Sequence, residues 1–518
     1  MRDIKLLDCT LRDGGYVNSN DFGEENILRI IKSLKGSRVD LIEYGYLEDK
    51  NFVDKNKTEF ESFEDLPRVT GQKKGNILML LGEKYDISKL PEAPNGECFL
   101  RISFHKKNAK VGISKIEEAI KRGYKVFVQP TATIYYSDEE LRELLKICNK
   151  LKPVSVAIVD TFGQMAPDDV AEKARLFDSI LDKCIAVSFH AHNNLQNAYA
   201  NAIRFIESVS EDREIIIDTS IYGMGRGAGN LPTELMMNYL NNNYGKDYNI
   251  DPLLTITENV ISKYKEKNNW GYSLPYFISG TYGVHPSYVL AFMERKTQNA
   301  EDIKCLIDMI SNEKKAEFNA EYANELYNTY NNRAINDVKS REKLANFIKG
   351  RDVLLMGPGK TIEEYNDKIK EYIENNNSYV IGVNGEYSIK ADVVFFSNKK
   401  RFNSANTEEQ SLVMVTSNIA ASVNNGLVFN YGAYLAKEYG TSDNALLLLL
   451  NILKSIGIKK VSVAGFDGYS TKDNFYNSSL ELLLDSNYLE ELNRVIKVNI
   501  DKLKNDMAIN TITPSINI

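Results

Sequence analysis

The chain has 518 residues, a formal net charge of −7 and 43% hydrophobic residues, which is typical of a folded globular protein. The acidic balance and the lack of a basic stripe exclude an ordinary nucleic-acid-binding protein. The longest apolar run, at 445–450, is too short to cross a bilayer, so we expect no membrane partner. No signal peptide precedes the first predicted strand and the five cysteines lack CxxC spacing, so we expect reduced thiols and a cytoplasmic location.

Strand-like apolar runs alternate with amphipathic helical stretches from residue 4 to residue 222. Eight predicted strands lie at 4–10, 40–46, 76–81, 99–105, 125–129, 154–160, 185–192 and 214–222. Predicted helices of 3.6-residue periodicity lie at 24–34, 114–122, 138–150, 167–180 and 195–209. Eight consecutive strand–helix units favour an α/β fold with a closed (β/α)8 TIM barrel over an open doubly wound sheet. We place this barrel domain at 1–250.

Two further segments follow the predicted barrel. Residues 251–346 are predicted to be a helical extension and connector, interrupted by a loop at 279–288 that is rich in Gly, Tyr and Ser. Residues 347–518 are predicted to be a smaller Rossmann-like open α/β domain of unknown ligand. Its strands are expected at 352–356, 379–383, 391–396, 412–416 and 460–464, with a long helix at 444–456.

The loop after the first strand of this second domain superficially resembles a P-loop. It reads Gly357-Pro358-Gly359-Lys360-Thr361, but Leu354 stands where the P-loop pattern requires its first glycine. A P-loop is therefore excluded, while a phosphate at the start of the following helix stays open.

Polar residues concentrate where the predicted barrel strands end, the place at which TIM barrels carry their chemistry. For one such residue alone, a loop hydrogen bond is the simpler explanation, so the clustering itself is the signal. These strand-end residues are Arg12, Asp13, Glu43, His105, Gln129, Asp160, Thr161, His190, His192 and Asn230.

Two of the only four histidines, His190 and His192, alternate along one predicted strand. Their imidazoles therefore point to the same face and can reach one ion. Asp13 can add a hard oxygen ligand from the first strand end, although Arg12 beside it could instead make a plain salt bridge. One carboxylate and two imidazoles predict a site for Mg2+ or Mn2+, with Zn2+ not excluded.

A glycine-rich loop follows the eighth predicted strand. Four of the seven residues at 223–229 are glycine, which predicts a close backbone approach with N–H groups exposed to an anion or carboxylate. The alternative is a tight turn into the helix predicted at 233–240. With Gln129 and Thr161, the loop residues Gly227 and Asn230 are our predicted substrate-binding residues.

The run Asp8-x-Thr10-Leu11-Arg12-Asp13-Gly14, with His190-x-His192 and the late glycine-rich loop, resembles the DRE-TIM metallolyase superfamily. That group holds hydroxymethylglutaryl-CoA lyase, isopropylmalate and homocitrate synthases and 4-hydroxy-2-oxovalerate aldolase. Further similarity at 42–46, 101–105, 160–165, 225–230 and 280–295 is nearest to the hydroxy-oxovalerate aldolases. The resemblance implies that Asp13, His190 and His192 bind a divalent cation. It also implies that Arg12 steadies the enolate oxygen of a pyruvate-type 2-oxo acid that reacts with an aldehyde.

The chain departs from the aldolase pattern at one position. Tyr16 stands where those enzymes carry a histidine that acts as catalytic acid and base. We therefore predict that His285 faces Tyr16 across the substrate and moves the proton, with His105 as the next candidate and Glu43 as a further catalytic residue. The alternative is that His285 only caps a turn before the following proline.

The leading interpretation is a metal-dependent aldolase acting on small-molecule 2-oxo acids and aldehydes. A Claisen-type acyl-CoA transferase and an inactive barrel that serves as a scaffold are the alternatives. Thiol release from acyl-CoA would identify the transferase, and divalent-ion content would separate an enzyme from a scaffold. Motifs of the second domain distantly resemble Rossmann-like domains found with surface-glycan genes, which implies a role in glycan or sugar metabolism. A homodimer is left open.

Overall fold

A computed structural model describes residues 2–49, 54–66, 70–71, 75–82, 84–94, 98–268, 270–294, 300–331, 334–385, 387–405, 412–419, 426–436, 444–470 and 486–518. The chain divides into two compact units. The first comprises residues 1–289 with 312–318, and the second comprises residues 290–311 with 319–518. The segment predicted as a connector, 251–346, thus contributes to both units. The predicted domain boundaries at 250 and 346 stay predictions.

The first unit contains a closed ring of eight parallel strands, because β1 pairs with both β2 and β9. Each ring strand begins within one residue of its predicted start, and the predicted TIM barrel is confirmed. One two-residue strand, β3, was not predicted and pairs with β2 outside the ring. The strands are β1 Ile4–Asp8, β2 Leu41–Leu47, β3 Glu59–Phe60, β4 Asn76–Leu81, β5 Cys98–Phe104, β6 Lys125–Pro130, β7 Ser155–Asp160, β8 Ala186–Ala191 and β9 Ile215–Thr219.

Helices surround the ring, and local signals explain where they begin. The helix Asp138–Leu151 starts with a capping box, in which Ser137 Oγ accepts the Glu140 N–H while the Glu140 carboxylate accepts the Ser137 N–H. The α-helices of this unit up to residue 282 are Gly15–Asn18, Glu24–Gly36, Ala109–Lys121, Asp138–Leu151, Pro167–Ile180, Ala198–Ser208, Thr233–Tyr244, Asp251–Ile256, Ser262–Lys267 and Leu274–Tyr282. A π-helical turn at Thr257–Ile261 joins two of them.

The loop predicted at 279–288 was wrong at both ends, because residues 279–282 and 286–288 are helical. The helix Leu274–Tyr282 continues to residue 282, ends at Gly283 in the left-handed conformation, and is followed by the helix Pro286–Glu294. Gly280 lies inside the first helix, where an added Cβ would lie 2.9 Å from Cγ of Leu195. This glycine therefore marks close packing, not a turn, and only residues 283–285 separate the two helices.

The second unit contains a seven-stranded sheet whose neighbouring strands are all parallel, in the order β14-β13-β12-β11-β10-β15-β16. The predicted open α/β sheet is confirmed, although β14 and β16 were not predicted. The strands are β10 Asp352–Met356, β11 Ser378–Val383, β12 Val393–Phe396, β13 Val413–Thr416, β14 Leu427–Phe429, β15 Lys460–Ala464 and β16 Ala508–Thr511. The helices are Ala300–Asp308, Ala320–Asn331, Val338–Ile348, Thr361–Glu364, Asn366–Asn376, Lys399–Ser404, Tyr431–Tyr434, Ala445–Ser455 and Ser486–Leu503.

The loop after β10 is closed by the chain itself. The backbone N–H of Thr361 donates to the carboxylate of Asp467 at 3.0 Å, and the Thr361 hydroxyl donates to the same carboxylate. The amide that would face a phosphate is thus engaged by the protein's own anion. In the described parts of both units, no helix is long and apolar enough to span a membrane.

Candidate metal centre and active site

Asp13, His190 and His192 meet at the carboxyl end of the barrel. Their ligand atoms lie within 4.8 Å of one another. Asp13 Oδ2 lies 3.8 Å from His190 Nε2 and 3.5 Å from His192 Nε2. Two donors that each lie about 2.1 Å from one ion are about 3 Å apart at right angles and about 4 Å apart when opposed. The three side chains can therefore converge on one cation with little movement.

Hydrogen bonds fix both imidazoles with the same nitrogen facing the centre. His190 Nδ1 donates to Asp218 Oδ2 at 2.9 Å, and His192 Nδ1 donates to the carbonyl oxygen of Asp160 at 3.2 Å. In the neutral form of each ring, Nε2 is then left with a lone pair directed towards Asp13. Burial lowers the pKa of His192 to about 4, so this ring is neutral at physiological pH. Neutral imidazoles and an ionised carboxylate are the forms that bind a metal.

Asn230 adds a fourth possible ligand. Its side-chain Nδ2 donates to Asp13 Oδ2, while its Oδ1 is buried without a hydrogen-bond partner among the described residues. Turning this amide over would present Oδ1 to an ion held by Asp13. The glycine-rich loop makes the approach possible, since an added Cβ at Gly225 would lie 2.5 Å from Nδ2 of Asn230. Asn230, predicted as a substrate-binding residue, therefore also suits a metal ligand.

A buried ion network supports the centre from below. Arg12 Nε donates to Glu43 Oε2 at 2.9 Å, and Arg12 Nη1 donates to Asp13 Oδ1 at 2.9 Å. Arg101 Nη1 donates to Glu43 Oε2 at 2.8 Å, and Arg101 Nη2 donates to Asp218. Three carboxylates face two guanidinium groups, so the network has a net charge of −1 and suits a dication. Its members are all buried in the barrel interior.

Burial and the charge of Arg12 act in opposite directions on the ionisation of Asp13. Burial alone would raise the pKa of this carboxyl, but Arg12 and then the two imidazoles and Asn230 outweigh it. The pKa of Asp13 therefore lies well below its ordinary value, and the group is a permanent anion. This ionisation leaves the carboxylate ready to bind a cation without first losing a proton.

Buried polar atoms without a hydrogen-bond partner among the described residues recur in the barrel interior. Such atoms are costly, and in native proteins they are usually satisfied by water, an ion or a ligand. They are Glu43 Oε1, Gln129 Nε2, Asp218 Oδ1 and Asn230 Oδ1. Such atoms at the centre could be satisfied by water, an ion or a substrate.

Arg226, at the tip of the glycine-rich loop, contacts both residues of the predicted proton-transfer pair. Its Nη2 lies 2.7 Å from His285 Nε2, and its Cζ lies 5.6 Å from the ring centroid of Tyr16. The other ring nitrogen of His285, Nδ1, lies 3.2 Å from the backbone nitrogen of Ser287. Since a neutral imidazole accepts at one nitrogen only, the Ser287 N–H and the Arg226 guanidinium are alternative donors to this ring. Burial, followed by the charges of Arg226 and His105, lowers the pKa of His285 to about 3. The predicted exchange of roles between Tyr16 and His285 stays a prediction, but these contacts favour His285 as a hydrogen-bond acceptor.

The remaining predicted residues lie on the same rim. His105 and Thr161 directly follow β5 and β7, and Gln129 is the second-last residue of β6. Thr161 Oγ1 accepts the Ala132 N–H at 2.7 Å, which holds the neighbouring loop. Gly227 has a φ of 68°, and an added Cβ there would lie 3.2 Å from the Tyr276 ring. Their predicted roles towards substrate stay predictions.

Three residues of this site were missed from the sequence. Arg101 and Asp218 lie within apolar strands, and a charge inside a buried strand needs a partner. The sequence therefore indicated that Arg101 and Asp218 each need a partner, but it did not indicate which residue that partner is. Arg226 is the one cation of the glycine-rich loop and was considered only as part of the backbone turn.

Comparisons with known proteins find a family model, named relatives and solved structures that are similar to this chain. Residues 3–260 match the family model described as HMGL-like. A relative from Geobacillus genomosp. 3 named 4-hydroxy-2-oxovalerate aldolase is 27% identical over 241 residues, covering 45% of this chain and 69% of the relative. A relative of the same name from Pelotomaculum thermopropionicum is 28% identical over 301 residues, covering 56% of this chain and 84% of the relative. The crystal structure of an HMG-CoA lyase from Brucella melitensis is 16% identical, with a TM-score of 0.41, and covers 51% of this chain and 100% of that chain.

Proposed function

Since residues 3–260 make this chain a member of the HMGL-like family, we propose that it is a divalent-metal-dependent aldolase acting next to a 2-oxo acid, with an aldehyde as its partner. The enzyme is a carbon–carbon lyase, the class to which its aldolase-named relatives belong. The observation that carries the proposal is the convergence of Asp13, His190 and His192 beside the guanidinium of Arg12.

A divalent ion held by Asp13, His190 and His192, with Asn230 in reach, would supply a Lewis acid that polarises the 2-oxo carbonyl. Arg12 supplies a fixed positive charge at the same place. Its hydrogen bonds within the described chain run from Nε and Nη1, which leaves Nη2 for the oxygen on which charge develops. Glu43, anchored by Arg101, holds the Arg12 fork in this orientation.

In the cleavage direction, a 4-hydroxy-2-oxo acid loses the proton of its 4-hydroxyl to a base. The bond between C3 and C4 breaks, and its electron pair forms the enolate, with negative charge on the C2 oxygen next to Arg12. The aldehyde leaves, and C3 then takes up a proton to give the 2-oxo acid. The base stays a prediction: His285 moves the proton while Tyr16 orients it, and His105 is the next candidate. We propose Gln129, Thr161, Gly227 and Asn230 as contacts of the substrate.

The proposal is tested by exchange of the methyl protons of pyruvate for deuterium, followed by NMR with Mg2+ or Mn2+ added. We expect exchange that depends on the metal, is lost with a chelator and is lost in Asp13→Asn. A folded, metal-loaded wild-type enzyme that exchanges no protons would contradict the proposal. The preferred ion emerges from the same experiment, since each cation is added separately.

Mass spectrometry of pyruvate with a set of aldehydes, sugar aldehydes included, then identifies the partner. A product with a sugar aldehyde would support the predicted role in glycan or sugar metabolism. Release of free thiol from acetyl-CoA in the presence of a 2-oxo acid would instead identify the acyl-CoA transferase. Sedimentation of the intact chain checks the homodimer.

A further inference from the structure

Arg226 differs from the other arginines of the site in its electrostatic surroundings. Arg12 and Arg101 are each paired with two carboxylates. Arg226 is exposed, and within the described part of the chain no carboxylate lies within 4.0 Å of its guanidinium. Among the described residues, its positive charge is therefore not paired with a carboxylate.

The loop that carries Arg226 is anchored to the metal centre. The Asn193 N–H donates to the Gly229 carbonyl at 2.8 Å, and the Asn230 N–H donates to the Gly223 carbonyl at 3.0 Å. These bonds tie the two ends of the loop together and to the strand end that carries His192. Arg226 is thus held on a loop whose ends are fixed at the strand end that carries the metal centre.

Neutral groups, not anions, orient the guanidinium. His285 Nε2 lies 2.7 Å from Arg226 Nη2 and accepts from it in the tautomer that carries its proton on Nδ1. The His285 ring is itself fixed between Phe162 and Phe318, with centroids at 6.0 and 6.1 Å. The ring of Tyr16 lies on another side of the guanidinium. An arginine held in this way keeps donors free for the paired hydrogen bonds that carboxylates and phosphates accept.

From this geometry we propose that Arg226 recognises an anionic group, a carboxylate or a phosphate, on the aldehyde partner. The inference rests on the proposed aldolase function. The carboxylate of the 2-oxo acid is one bond from the carbonyl that must reach Asp13 and Arg12, so it belongs at the centre. A cation on the outer loop meets the other end of the substrate, which the aldehyde contributes. His285 is then a positioning residue for Arg226.

The test compares aldehydes that differ mainly in charge. The aldol reaction with pyruvate is measured with succinic semialdehyde against butanal, and with glyceraldehyde 3-phosphate against glyceraldehyde. We expect wild type to favour the anionic member of at least one pair, and the pair that responds distinguishes carboxylate from phosphate. Arg226→Gln should lower that preference in kcat/KM at least about tenfold, the effect of losing a charge-assisted pair. Arg226→Lys should lie between, because it keeps the charge but loses the fork.

Arg204→Gln is the matched control, since Arg204 is a partly exposed arginine that pairs with Asp168 and Glu207 on an outer helix. Its preference should equal that of wild type. Equal loss with both members of each pair in Arg226→Gln would assign Arg226 a structural role and overturn the inference. If Arg226→Gln fails to fold, the inference is tested by two other results: the preference of wild type for the anionic aldehyde, and a smaller preference in Arg226→Lys. Pyruvate exchange without any preference for an anion overturns the inference alone, whereas absence of metal-dependent exchange overturns the proposed function with it.

Discussion

Replacing Asp218 by asparagine tests whether the buried network prepares the metal centre. Asp218 accepts the Nδ1–H of His190 and a hydrogen bond from Arg101. An asparagine can still accept from one of them, but it removes the negative charge and can turn its amide N–H towards the other. The His190 ring then loses the anion that fixes its tautomer and raises its basicity as a ligand.

These contacts set the expected losses of metal affinity and of stability in Asp218→Asn. Loss of a hydrogen-bonded partner behind a metal-binding histidine typically lowers metal affinity by about 10- to 100-fold, or about 1.4 to 2.7 kcal/mol. Arg101 is fully buried and keeps only Glu43 as an anionic partner. The free energy of unfolding should therefore fall by about 2 kcal/mol, less than the cost of a buried charge left with no partner.

Calorimetric titration with Mn2+ at neutral pH measures the affinity, and thermal unfolding measures the stability. Asp8→Asn is the matched control, since Asp8 is equally buried at the end of a barrel strand. Its carboxylate accepts the Thr10 N–H at 2.9 Å and the Thr233 hydroxyl at 2.7 Å, and an asparagine can replace both contacts. An Asp218→Asn protein that is folded and binds Mn2+ within about twofold of wild type would refute the reasoning.

Arg12→Lys should lower kcat for pyruvate exchange at least about 100-fold while changing the affinity for Mn2+ much less. The reason is that one ammonium group cannot replace the guanidinium fork that contacts Glu43, Asp13 and the enolate oxygen. Near-normal turnover would show that Arg12 only forms a structural ion pair. Burial raises the pKa of Asp8 to about 6, above about 3.9 in the unfolded chain, so the free energy of unfolding should fall by about 3 kcal/mol as pH rises through this interval. Thermal melts of Asp8→Asn should lack that decline, and an unchanged pH profile would contradict the assignment. His285→Gln and Tyr16→Phe test which residue is the base, with cleavage measured from pH 6 to 9 on the aldol product of a neutral aldehyde. Loss of cleavage in His285→Gln with intact metal content would support His285 as the predicted base. Retained cleavage in His285→Gln fits a positioning role for His285.

The barrel was predictable because its strands are buried on both faces and are therefore continuous apolar runs. β3 could not be predicted in this way, because two residues are too few to form an apolar run or a periodic pattern. Gly280 was misread because a glycine serves packing as well as turns, and only the position of Leu195 distinguishes the two.

The metal triad was predictable in part from the spacing of His190 and His192 on one strand. The contacts around it were not, because they join positions far apart in the chain. Arg101 and Asp218 are 117 positions apart, and Arg226 and His285 are 59 apart. Which strand ends face each other depends on how the closed sheet is staggered, a property that no local pattern contains.

The ion network also bears on how the barrel assembles. Its charges come from the segment after β1, from β2, from the middle of β5 and from β9, and Asp218 arrives only with the last of these strands. A chain folded only as far as β5 would leave Arg101 with Glu43 as its carboxylate partner in the network, and Arg12 shares that partner. An open intermediate lacks the contact of Arg101 with Asp218 until residue 218 has joined the ring, which favours an all-or-none transition for the unit. During synthesis from the amino terminus, the strand that closes the ring also brings the carboxylate of Asp218 to His190. We therefore expect a half-barrel fragment neither to stay folded nor to bind metal.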